Sequence, residues 1–308
     1  MKKILLIPIV FLAGCVGPTP QPFRVGPFEA ASKLDFVANG RCATRNQSPA
    51  DQAAVRQTVS RFLQRKGRAR EATFGIPIHF HVVTKSDGSG GTTKAALTEQ
   101  VKEINDSYKP YGFSFTWDGN FDTRADDALY ATEFDSPEET RLKKVGKDQE
   151  SSLNIYVAGA IRTPRGGVLG WATFPSDLSK AKGSDGIVIL TSSLPGNPGP
   201  FGLGKTAVHE IGHWIGLYHT FQDGCSQTND DVDDTPPIEL PTFGTCEENK
   251  DKLACPPTDP RKPREKADIS NYMDYTDDAC MDHFTPGQNQ RAKAQMASFR
   301  PKIANLTP

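Results

Sequence analysis

The stretch AVHEIGHWIGLYHTF, residues 207–221, holds three of the chain's six histidines and constrains its folding more than any other segment. Val208, Ile211 and Ile215, with Trp214 and Leu217 beside them, recur at helical spacing, which predicts a helix packed into a core. In a helix, His209 and His213 fall one turn apart on one face, about 40° from each other. Two imidazoles so placed can chelate one zinc ion. Glu210 lies about 100° round from His209, off the ligand face but within reach of a water on the metal. His219 comes six residues after His213, and an unbroken helix would carry it to another face. Gly216 resolves this, because glycine takes the left-handed conformation that ends a helix and turns the chain back.

Three neutral imidazoles leave the fourth position of a tetrahedral zinc open to water, which marks a catalytic rather than a structural site. Zinc makes such a water acidic near neutral pH, and Glu210 is placed to take its proton. Three histidines and a glycine at this spacing arise by chance on the order of 0.0002 times in a chain of this composition. Incidental histidines in a core helix are therefore set aside.

HExxHxxGxxH is similar to the zinc signature of the metzincin metalloendopeptidases. Metzincins also carry a Met-turn beneath the metal, and SNYMDYTDDACMDHFTPGQ offers a candidate at Met273. The segments HEIGHWIGLYHTFQDGC, DDTP and NYMDY, with LGWATFP and DGIVILTSSLPG upstream, resemble the pappalysin family of metzincins over about residues 74–300. The resemblance implies a zinc endopeptidase. Its α+β fold would have an upper subdomain with a twisted mixed sheet and two long helices, above a lower, irregular, disulfide-stapled subdomain with a C-terminal helix. It makes His209, His213 and His219 zinc ligands, Glu210 the general base and Met273 the Met-turn residue. Tyr275 would ligate zinc in the resting site and stabilise the oxyanion.

At 308 residues the chain has room for one large domain or two small ones, and a net charge of −1 gives no electrostatic case for nucleic acid. The start, MKKILLIPIVFLAGC, reads as a signal peptide over residues 1–15: Lys2 and Lys3 precede an apolar run that is too short to span a membrane. LAGC resembles a bacterial lipobox, with Cys15 as the lipid anchor; plain secretory cleavage is the alternative. Residues 16–70 read as a pro-segment, 71–308 as the metalloprotease domain, and the basic run RKGRAR at 65–70 as an exposed, protease-sensitive linker.

Export permits disulfides. Removing Cys15 leaves Cys42, Cys225, Cys246, Cys255 and Cys280. The last four follow the zinc motif in sequence with little core, where two bridges would staple loops in any of three pairings. The resemblance favours Cys225–Cys255 and Cys246–Cys280 and leaves Cys42. RCAT at 41–44 is similar to the RCGT of pappalysin precursors, with Ala43 replacing glycine, which implies that Cys42 is a latency switch. A thiolate ligates zinc better than water and would fill the open position.

Elsewhere, Ala53, Val55, Val59, Phe62 and Leu63 predict one short amphipathic helix after Ser48-Pro49. TFGIPIHFHVVT predicts a strand with His79 and His81 on one face; they could bind metal, but with the zinc's ligands already supplied a structural or surface role is expected. A helix follows over KAALTEQVKEINDSYKPYG, then the strand FSFTW, a helix in SPEETRLKKVG and the strand LNIYVA. GVLGWATFP is the expected edge strand over the cleft, able to pair with an extended substrate. GIVIL is a buried strand, and TPGQNQRAKAQMASF a terminal helix capped at Thr285-Pro286. NDDVDDTP crowds Asp230, Asp231, Asp233 and Asp234; either solvent or calcium would relieve their repulsion, and the resemblance implies calcium on Asp230 and Thr235. It also places Asp278 at the floor of the pocket for the residue just beyond the scissile bond, with Asp277 one residue off that role. A carboxylate there suits arginine, then lysine.

The expectation is a zinc endopeptidase cutting protein or peptide substrates before Arg or Lys. It would be made as a zymogen, exported as a monomer, and extracellular or held at the cell envelope through lipid alone. A surface-exposed zinc-binding adhesin of the same fold is the competing reading; retention of Glu210 speaks against it.

Overall fold

The computed structural model describes residues 41–64, 73–180 and 183–304, and the backbone of a two-stranded ribbon, Phe23–Val25 and Phe28–Ala30. The leader with Cys15 and the basic run at 65–70 lie outside the described residues. Among those described, no helix is long and apolar enough to cross a membrane.

Six strands form the main sheet: β1 (Phe74–Thr84), β2 (Phe113–Thr116), β3 (Phe121–Ala125), β4 (Leu153–Ala158), β5 (Gly170–Ala172) and β6 (Ile187–Leu190). The eleven-residue β1 takes β2 beside its first half and β3 beside its second, both parallel. The order continues β1–β4–β6–β5, parallel until β5, which pairs antiparallel with β6 and closes the cleft side of the sheet. Both faces are covered, so β4 and β6 are buried at every residue, as interior parallel strands require.

On one face, Ile76, Ile78, Phe80, Ile155 and Ile189 pack with α2 (Lys94–Tyr108) and α4 (Lys205–Trp214). Thr93 caps α2 by accepting from the Ala96 amide, and Leu97, Ile104 and Tyr108 form its buried stripe. The Tyr108 hydroxyl donates to the Val208 carbonyl at 2.7 Å, tying α2 to the histidine-bearing helix. On the other face, Tyr156, Val188, Leu142 of α3 (Pro137–Lys143) and Trp171 form a second cluster.

Beyond α4 the described residues hold little regular structure before α5 (Pro286–Phe299), whose Thr285 and Gln288 form a capping box. A four-residue helix, Cys246–Asn249, is one exception. Two bridges hold this lower half, Cys225–Cys255 and Cys246–Cys280, with Cα separations of 5.6 and 5.2 Å. They span 30 and 34 residues, and closing loops of that size contributes about 3–4 kcal/mol each in the chain-entropy picture.

Helix α1 (Pro49–Gln64) is longer than its apolar stripe suggests, at 16 residues. Val55 and Val59 pack against Ala294 of α5. Leu63, expected on that stripe, is 40% exposed, because the last turn of α1 carries it off the α5 contact. His81 is buried, its Nε2 2.8 Å from Asn154 Oδ1 and its ring stacked on Tyr156.

Candidate active site

Helix α4 is buried along its length from Thr206 to Trp214, so its polar side chains must meet partners inside the molecule. The Nδ1 of His209 lies 2.7 Å from the Tyr272 carbonyl, and that of His213 lies 2.8 Å from the Leu217 carbonyl. A carbonyl only accepts, so each Nδ1 carries the proton and each Nε2 keeps its lone pair. The chain turns at Gly216, φ +106°, whose carbonyl accepts from Arg291 Nε and Gln295 Nε2 of α5. The turn brings His219 Nε2 to 3.0 Å from His213 Nε2.

His209 Nε2 is buried with no hydrogen-bond partner. It converges with His213, His219 and the Cys42 sulfur, all four donor atoms lying within 4.8 Å of one another. Burial holds His213 down at about 4 and puts His209 and His219 well below the ordinary histidine range. All three are thus neutral near pH 7, as metal ligands must be. Facing lone pairs and an orphaned buried nitrogen are costly without a cation between them, and three imidazoles with one sulfur are a zinc donor set.

Met273 lies directly under this cluster. A Cβ on Gly212, between the two helical histidines, would come within 2.3 Å of its sulfur. The Tyr275 hydroxyl sits 3.2 Å from His219 Nε2. Glu210 is buried on the sheet side of α4, where a Cβ on Gly170 of β5 would crowd it at 2.9 Å. Burial pushes its carboxyl up to about 8, against hydrogen bonds from the Cys42 thiol at 3.4 Å and the Thr44 hydroxyl at 3.0 Å.

Residues 41–44 lie along the edge strand. Leu169 N donates to the Arg41 carbonyl, Ala43 N to the Gly170 carbonyl and Ala172 N to the Thr44 hydroxyl, each at 2.9 Å. The segment runs parallel to β5. Cys42 is half-buried, and burial followed by the neighbouring Glu210 charge pushes its thiol well up.

The Arg41 guanidinium enters a closed pocket. It lies 3.4 Å from Asp278, donates to the Tyr275 and Thr276 carbonyls, and sits 4.8 Å from the centre of the Phe201 ring. Asp278 is fully buried and also accepts from the amides of Leu203 and Lys205 at the start of α4. Burial pushes its carboxyl up to about 6, with Arg41 opposing the shift. Of the two adjacent acids, Asp278 is the one the guanidinium meets.

The family model described as pregnancy-associated plasma protein-A matches residues 138–297, just over half of the chain. The chain belongs to the pappalysin family. A protein named extracellular metalloprotease from Pyricularia oryzae is 38% identical over 300 residues, 96% of this chain and 92% of that protein. Extracellular metalloprotease 1 of Coccidioides posadasii is 36% identical, over 75% of this chain and 79% of that protein. Among solved structures, a promirolysin variant of Tannerella forsythia matches the fold with a TM-score of 0.65 at 22% identity, covering 87% of this chain and all of that chain. Mature mirolysin in complex with a cleaved peptide matches with 0.62 at 24% identity, covering 77% of this chain and all of that one.

As a pappalysin the protein is a metalloendopeptidase, with the mixed-sheet metzincin fold described above. Sequence reading assigned no role to three residues that meet the cluster and its neighbours: Arg41 beside Asp278, Thr44 on Glu210, and Gly212 against Met273. The signal that could have found Arg41 is an arginine flanking Cys42 together with an acid expected at a pocket floor. The acidic loop after the site is the remaining expectation. Asp230 is 1% exposed and burial pushes its carboxyl up to about 8. Asn229 Oδ1 is buried without a hydrogen-bond partner, and the buried Asp230 Oδ2 and Thr235 Oγ1 have none beyond each other. Oxygens left so are the donor set a hard cation takes.

Proposed function

We propose that this pappalysin is an exported zinc endopeptidase that cuts before Arg, then Lys, and is held latent by its own residues 41–64. One observation carries the reading: Cys42 joins His209, His213 and His219 in a single donor cluster while Arg41 fills the Asp278 pocket. His209, His213 and His219 would hold zinc. Zinc bound there supplies Lewis acidity, polarising the scissile carbonyl and making an attacking water reactive near neutral pH.

Glu210, on the sheet side of α4, takes the proton from that water and passes it to the leaving amine. The Tyr275 hydroxyl donates to the oxyanion. Met273 supports the ligand rings from below. In the latent chain the Cys42 sulfur would join the three imidazoles as a fourth donor and, with Thr44, it engages Glu210, so the base is withheld. Asp278 recognises the substrate residue after the cut, as Arg41 illustrates. In a substrate the arginine follows the metal-facing residue, whereas Arg41 precedes Cys42. The pro-segment therefore lies in the cleft with reversed polarity.

The disulfides and the extracellular relatives support export. Residues 1–15 as signal peptide with a lipid on Cys15, 16–70 as pro-segment and 71–308 as protease domain complete the reading. Calcium would sit on Asp230 and Thr235.

The test is peptide-library cleavage by zinc-loaded protein. Glu210→Ala should retain one zinc per chain and lose activity by about 10²–10⁴-fold. Full-length Cys42→Ala should lose latency. Wild-type rates in the first variant, equal latency in the second, or no basic residue after the cut would each remove its part of the mechanism.

A further inference from the structure

Beyond Thr44 the pro-segment continues across the cleft on the side away from the Asp278 pocket. The Arg45 guanidinium pairs with Asp135 at 2.5 Å and lies over the Phe134 ring, 5.8 Å from its centre. Gln47 then donates to the Ser176 hydroxyl at 2.6 Å. Beneath Arg45 opens a cavity of about 280 Å³ lined by Asp135, Glu139, Trp171, Phe174 and Asp177. The charges here are unequal in kind. Glu139 is buried and committed to Lys143 at 2.9 Å and the Trp171 indole at 2.6 Å. Asp177 has Lys180 at 3.9 Å. Asp135 has no cation besides Arg45 among the described residues. It also sits at φ +61°, its amide donating to Glu139, so the loop presents that carboxylate at the cavity's mouth in a backbone conformation few residues tolerate.

We propose that Asp135, with the Phe134 ring, forms a second cation-selective subsite that takes a basic side chain two to four residues before the scissile bond. It rests on the reading that the Asp278 pocket holds the residue just after the cut. If Arg41 marks that position and Cys42 the metal, then Arg45 marks the far, non-primed side. When the pro-segment leaves, Asp135 loses the one cation it has among the described residues, and a substrate arginine or lysine replaces it. Substrates with basic residues on both sides of the bond are then favoured over those with a single arginine.

The experiment uses zinc-loaded, matured protein and peptides with Arg fixed after the cut. Arg, Ala or Glu is placed in turn at the second, third and fourth positions before it. At one of these positions kcat/KM should favour Arg over Glu by about threefold to tenfold, the range of an exposed ion pair joined to a cation–π contact. The ratio should shrink at high salt and approach one in Asp135→Asn. Asparagine tolerates the left-handed backbone, and an unchanged unfolding midpoint would verify that the variant is folded. Cutting before Arg with flat ratios at all three positions would overturn the subsite and leave the cleavage reading standing. An undiminished ratio in Asp135→Asn would also overturn it. Absence of any cut before Arg would remove both.

Discussion

Gly212 shows how little space separates the histidine helix from what lies beneath it. The Met273 sulfur occupies the volume a Cβ would need, at 2.3 Å, and the Phe284 ring stands at 3.6 Å. Gly212→Ala must push Met273 down or lift α4, and overpacking of this kind typically costs about 1–3 kcal/mol. We expect a lower urea midpoint and weaker zinc retention in chelator competition; a variant equal to wild type in both would mean the Met-turn is soft. The histidines, Glu210 and Gly216 were legible in the sequence because their chemistry and spacing are local. Gly212 was not, since its constraint comes from a residue 61 positions away. Arg41 was hidden for another reason: an arginine reads as a surface residue, and nothing local says that this one is 2% exposed.

Helices and strands were legible where periodicity carries over a whole element, as in β1 and α2, or where a cap marks the start, as at Thr285-Pro286 of α5, and the edge strand was legible from the family resemblance of LGWATFP. What one strand pairs with was not: β2 and β3 share one side of β1, an arrangement set by non-local hydrogen bonds. Nor was the clamp at the end of α4. Arg300, just after α5, makes two bonds to Asp185 at 2.7 and 2.8 Å, lies 4.0 Å from the centre of the Trp214 ring and donates to the Trp214 carbonyl. The Trp214 indole donates to the same carboxylate at 2.9 Å. All three side chains are fully buried. Asp185→Ala leaves a guanidinium in the core without its anion, and breaking such a pair typically costs about 3–5 kcal/mol. Urea unfolding should show a loss of that size; a loss under 1 kcal/mol would mean that solvent reaches Arg300.

In the molecule as a whole, the loops between Gly216 and Ile269 have a small cluster of their own, Ile238, Ala254 and Ala267, and depend on cross-links. The two disulfides are joined there by the buried oxygens of Asn229, Asp230 and Thr235. If a cation bridges them, calcium at about 100 times its dissociation constant should raise the unfolding temperature by roughly 4–6 °C. Asp230→Ala should abolish the rise, and an equal rise in both proteins would place the ion elsewhere. The neighbouring Asp231 meets Arg56 of α1 at 2.8 Å and Arg291 of α5 at 3.5 Å, so the same loop also anchors α1.

Residues 41–64 reach the cleft as an extended stretch and return through α1 to the start of β1, joined only by residues 65–72. On the proposed latency, tethering of this kind would hold the inhibiting residues at a local concentration in the millimolar range, so each contact at the histidine cluster and the Asp278 pocket can be individually weak. One cut anywhere in those eight connecting residues leaves every contact intact but reduces the inhibitor to the concentration of the enzyme itself. Activation is then an act of dilution: the sparser the protein, the more completely a single cleavage frees it, and the less readily the freed peptide finds its way back.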